Sequence, residues 1–111
     1  MISVKKIDKT TYRVIVENRS MTSHMVTLPI PYYEKLTDKS VSPEELIAKS
    51  FEFLLDREPN TSILRSFELS IIGSYFPEYE ETIKQQFWEV AHDSQVGEII
   101  LPIERILSGN N

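Results

Sequence analysis

Cysteine is absent from this chain, which removes disulfides, zinc–thiolate centres and cysteine nucleophiles together. A reducing compartment fits that usage. Glycine is nearly as scarce, at Gly73, Gly97 and Gly109 only. None belongs to a glycine-rich turn that would present backbone N–H groups to phosphate, so P-loop and dinucleotide-binding chemistry are excluded. There are two histidines, His24 and His92. A metal centre needs three or four ligands at fixed geometry, and His92 with Asp93 and Glu89 makes only a scatter. A helix end explains His92, and a strand face beside Tyr or Met suits His24. No G-x-S-x-G marks a nucleophile elbow. The acids of "PEYEE" have a simpler explanation than acid–base chemistry, because negative charge is favoured in the first turn of a helix. We therefore expect no catalytic residues, no cofactor and no metal. A hydrolase using Glu81 or His92 is the weakest alternative.

Long apolar runs are also missing. Nothing approaches the roughly 20 residues that span a bilayer. The first residues, "MISVKKIDKTTYRV", bring charge too early for a secretory leader. The expectation is a cytoplasmic protein without membrane contact.

At 111 residues, 41% hydrophobic and 26% charged, the chain is long and apolar enough for one folded domain over 1–111. Its net charge of −5 is unevenly distributed, with the basic residues gathered toward the N-terminal third. Such polarity suits either a basic face that meets an anion or surfaces that merely differ.

Residues 1–31 read as a β-meander. Tyr12, Val14 and Val16 alternate with Arg13, Ile15 and Glu17, and His24, Val26, Leu28 and Ile30 alternate with Met25 and Thr27. Period two with β-branched and aromatic residues predicts strands. Short polar links predict an antiparallel meander of three strands, ended by Pro29 and Pro31. "PYYEKLTDKS" has room for one helical turn with Tyr32, Tyr33 and Leu36 facing in.

Residues 42–91 read as helical. Ser42 is a predicted N-cap, with Pro43 at the first position and Glu45 completing a capping box. Leu46, Ile47, Phe51, Leu54 and Leu55 form the apolar stripe, and Ala48 and Phe53 fall off it. Asn60 is read as the cap of a second helix over 61–76, with a break near Glu68–Ser70. Pro77 opens a third helix, with Tyr79, Ile83, Phe87, Val90 and Ala91 on its stripe. Residues 92–111 form an aliphatic tail, with a short strand at Glu98–Leu101 or a helical turn at Pro102–Leu107. The fold class is α+β: a three-stranded meander, then three helices.

The stretch "SPEELIAKSFEFLLDREPNTSILRSFELSIIGSYFPEYEETI", from Ser42 to Ile83, resembles a family of small uncharacterised bacterial proteins sharing SFEFLL, REP, SIL and YFPEYE. The resemblance implies a bacterial or phage-related origin and a folded unit, and it carries over no functional residue. A looser likeness covers about a third of the chain. "HMVTLPIPYYEKL" followed by "VSPEELIAKSFEFLL" resembles the ribbon-helix-helix proteins, which include repressors and antitoxins. It implies that the strand pair enters the DNA major groove, with Arg13, Met25 and Thr27 outward. Met25 and Thr27 depart from the Arg or Lys that phosphate or guanine contact favours.

The large apolar residues outnumber what one small sheet face can engage. Most of Ser62–Glu81 is expected in the core. Tyr75, Phe76, Tyr79 and Trp88, with Ile99, Ile100, Leu101 and Ile103 of the tail, are assigned to a partner surface, because aromatics are enriched at interface centres. The function expected is a non-catalytic protein–protein interaction module, as a homodimer or as the small subunit of a complex. The alternative is a ribbon-helix-helix-like DNA-binding regulator or antitoxin.

Overall fold

The computed structural model describes the backbone of residues 1–96 and the side chains of residues 1–87. Three strands, β1 (Ile2–Lys6), β2 (Thr11–Glu17) and β3 (Met21–Thr27), pair as the antiparallel meander the alternation predicts. The register sets Val4 opposite Val14 and Val14 opposite His24, so the inward residues stack in rows. Tyr12, Val14, Val16, His24 and Val26 are buried while Arg13, Glu17 and Thr27 are exposed, as period two requires. The first turn is held by Asp8, whose carboxylate accepts from the Thr10 and Thr11 amides at 3.1 and 2.9 Å. Those bonds hold the Asp8 carboxyl below its ordinary range.

Helix α1 (Ile30–Thr37) is longer than the single turn read from the sequence, and Leu36 is its buried anchor. Helix α2 (Pro43–Leu55) starts as predicted, with Ser42 Oγ accepting from the Glu45 amide at 3.1 Å. Its buried surface is wider than one stripe. Leu46, Ile47, Phe51 and Leu54 are buried, and so is Phe53. The reason is a second neighbour: helix α4 (Tyr79–Val96) lies across α2, and the Phe53 ring meets Phe76 and Tyr79 edge-on at 5.8 and 5.2 Å.

The expected helix over 61–76 is not formed. In its place come a 3₁₀ turn (Asn60–Ser62), a short strand β4 (Ser66–Glu68), a second 3₁₀ turn (Leu69–Ile71) and a single helical turn, α3 (Ile72–Tyr75). β4 runs parallel to β3 and makes a four-stranded sheet in the order β1-β2-β3-β4. A parallel neighbour needs a long crossover, and α1 with α2 supplies it. Three polar contacts take this segment out of a helical ladder. The Leu64 carbonyl lies 2.7 Å from His24 Nδ1, the Arg65 carbonyl accepts from the Met25 amide at 2.8 Å, and Asn60 Nδ2 donates to the Ser20 carbonyl at 3.0 Å. Asn60 is thus a buried tie to the sheet.

The molecule is α+β with one sheet face covered by helices. The core runs from Val14 and Val16 through Phe51 and Leu46 to Tyr79, Ile83 and Phe87. Helix α4 runs on to Val96, five residues into the tail expected over 92–111, and residues 97–111, with the expected strand or turn, lie outside the described residues.

Candidate partner-binding groove

α2 ends at Leu55, and Pro59 with the Asn60 turn sends the chain back toward the sheet as extended backbone. Between the end of α2 and α3 a groove of about 300 Å³ is left open. Its walls are apolar: Leu54, Ile63 and Ile72 are buried at the base, with Phe67 half-buried beside them. Its rim is apolar too. Leu64, Ile71 and Tyr75 are 47%, 38% and 65% exposed. Glu58 and Ser62 are the polar lining residues.

The groove is built on fixed parts. His24 is 1% exposed, packs 5.3 Å from the Phe51 ring, and has both ring nitrogens engaged. A carbonyl can only accept, so Nδ1 carries the proton toward Leu64. Nε2 lies 2.9 Å from Thr22 Oγ1, which also accepts from Asn60 Nδ2 at 2.9 Å. The chain Asn60–Thr22–His24–Leu64 therefore clamps the groove backbone to β3. At the other end, the Arg57 guanidinium stacks 3.5 Å from the Phe53 ring centroid and its Nε donates to Glu78 at 3.2 Å. That pair ties the end of α2 to the entry of α4 behind Phe76.

The residues assigned from sequence separate here. Tyr75 and Phe76 line the groove. Tyr79 does not: it is fully buried, with its hydroxyl 2.6 Å from Ser50 Oγ, and it belongs to the core of this chain. Burial pushes that hydroxyl well above the ordinary tyrosine value. The side chain of Trp88, together with Ile99, Ile100, Leu101 and Ile103, lies outside the described residues. Leu64 and Ile71 were assigned to the core, and they stand on the rim. The available signal was alternation: in an extended segment Ile63 and Leu64 must face opposite ways.

Arg13, Met25 and Thr27 sit on the sheet face that no described helix covers, Arg13 directly opposite Met25. Lys5 lies opposite Arg13 on its other side, which places two like charges side by side. At Met25–Thr27, β3 is paired on both edges, with β2 and with β4. A two-fold ribbon with a second chain has no free edge there.

A second polar cluster joins α1 to α4. Tyr32 donates to Glu80 Oε2 at 2.8 Å, and Lys35 Nζ lies 3.3 Å from Oε1. The Tyr32 hydrogen bond, with help from Lys35, holds the Glu80 carboxyl below its ordinary range, and burial with that same bond raises Tyr32. This cluster fastens two helices. Among the described residues, no group of three or more acids and histidines gathers to hold a metal ion, and no helix is long and apolar enough to cross a membrane.

No protein-family model, curated protein or solved structure matches this chain.

Proposed function

We propose that this chain is a non-catalytic protein-interaction module of a small bacterial protein. It acts in the cytoplasm as a homodimer or as the small subunit of a complex. The observation that supports this reading is the groove, where large aliphatic and aromatic side chains stay exposed over a buried, apolar floor. Such contiguous apolar surface is costly to leave in water and is typical of protein contact sites. Its chemistry suits burial of a few apolar side chains, with Glu58 to orient them.

The test is capture of the tagged full chain from host lysate, with and without nuclease, beside a Leu64→Asp variant, analysed by mass spectrometry. A stoichiometric protein that survives nuclease and is lost with Leu64→Asp supports the reading. Absence of both a protein partner and self-association overturns it.

A second reading, DNA binding in the manner of a regulator or antitoxin, draws on the Lys5–Arg13 pair of the open sheet face. Contact would be made by that face, since β3 offers no free edge at Met25–Thr27. It requires a duplex affinity that falls steeply with salt and drops further in Arg13→Ala.

A further inference from the structure

The groove is apolar with one acid, Glu58, in its lining, and the chain carries an aliphatic block of its own. Ile99, Ile100, Leu101 and Ile103 crowd into five positions, with Glu98 before them and Glu104 and Arg105 after. Glu58 makes no ion pair among the described residues, so a cation arriving with an apolar segment would meet an unpaired carboxylate.

The length of chain beyond Val96 decides which copy supplies the segment. Phe76 lines the groove and α4 begins three residues later at Tyr79. α4 then follows α1, where Glu80 meets Tyr32 and Lys35, and no described α4 residue lines the groove. From Tyr79 to Val96 its 17 rises carry the backbone about 26 Å. Ile103 is seven positions beyond Val96, a reach of at most about 25 Å when fully extended. Doubling straight back along α4, Ile103 only just draws level with Tyr79, while Ile99 and Leu101, three and five positions beyond Val96, reach at most about 11 and 18 Å and fall well short of their own groove. A second copy imposes no such tether.

We propose that the segment Ile99–Ile103 of one copy docks in the groove of a second copy, with Arg105 beside the second copy's Glu58. Reciprocal exchange makes the contact isologous and closes a two-fold dimer. The proposal rests on the reading of this chain as an interaction module and names its partner as the chain itself.

The test is sedimentation velocity of the full chain over a concentration series, with two defects introduced separately. Ile100→Asp with Leu101→Asp spoils the segment. Leu64→Asp spoils the rim, and Tyr75→Ala serves as a second rim variant should Leu64→Asp fail to fold by circular dichroism. The unsubstituted chain is expected to dimerise. Each defect should raise the dimer dissociation constant roughly tenfold or more. Mixing the segment-defective and rim-defective chains should restore dimers, because that pair keeps one intact contact, and neither variant alone should do so. A monomeric full chain overturns the proposal, as does a dimer indifferent to both defects or a mixture that restores nothing. If the full chain is monomeric but still captures a different protein through Leu64, the interaction module stands and only the self-exchange fails.

Discussion

The Ser50 hydroxyl has one hydrogen, and it donates it to the Leu46 carbonyl at 2.8 Å. The Tyr79 hydroxyl, 2.6 Å away, must therefore be the donor in their shared bond. The two substitutions at this buried pair are not equivalent. Ser50→Ala strands a hydroxyl inside the core, which costs about 1–3 kcal/mol, whereas Tyr79→Phe removes the donor and strands nothing of its own. Urea denaturation should show Ser50→Ala as the more damaging of the two. The double variant should be no less stable than Ser50→Ala alone; strictly additive losses would contradict the assigned donor. Glu80 gives a second prediction at this scale. Its folded carboxyl lies below the unfolded value of 4.5 because Tyr32 and Lys35 favour the charged form. Its contribution to stability is present above that value and is lost as pH falls through the lower folded value. Glu80→Gln should flatten the acid limb of a stability–pH curve below about pH 4.5, and an unchanged limb would show that the cluster contributes nothing.

At the scale of elements, local signals in the sequence settle some boundaries and leave others open. β2, β3 and α2 were legible because each carries its own period and its own stop, and the Ser42 cap sits where the capping box places it. The segment 60–76 was not. Ile63, Leu64 and Phe67 satisfy a helical face, yet Ser66-Phe67-Glu68-Leu69 also satisfies alternation, and a short apolar run does not choose between them. The choice is made by distant groups: His24, Met25 and the Ser20 carbonyl accept or donate to Leu64, Arg65 and Asn60. Phe53 was misread for a related reason, because a second helix buries the opposite flank of α2. Half of the site followed from this. Tyr75 and Phe76 were assigned to a partner surface because aromatics are enriched at interface centres, while Leu64 and Ile71 became visible only once the helix gave way to extended chain at Leu64 and a 3₁₀ turn at Ile71. The amide of Met25 reports on the outcome. It bonds to the Arg65 carbonyl at 2.8 Å, so hydrogen exchange at Met25 should be slow, although in a three-stranded meander β3 would be an edge. Asn60→Ala removes the tie to Ser20 and Thr22 and should speed that exchange selectively, with about 1–3 kcal/mol lost overall.

At the scale of the whole molecule, the helices are distributed unequally over the sheet. One face is covered by α2, with α1 and α4 packed against α2 and each other, and the same packing that buries Phe51 and Tyr79 leaves the corner between α2 and α3 open. Stability and association should therefore respond to different residues. Phe51 is fully buried, and Phe51→Ala should cost about 3–5 kcal/mol, enough to unfold a marginal domain. Leu64 and Ile71 are 47% and 38% exposed, so replacing either with Ser should change monomer stability by less than about 1 kcal/mol. The same replacements remove apolar area that a docked segment would cover, and they should weaken association while the melting curve of the dilute chain stays in place. Measured together at low and high protein concentration, the two variants separate a groove that serves the fold from one that serves a partner. Equal losses at both concentrations would place Leu64 and Ile71 among the residues that hold the monomer together. A loss confined to high concentration would make the open corner a contact surface that the monomer does not need for its own stability.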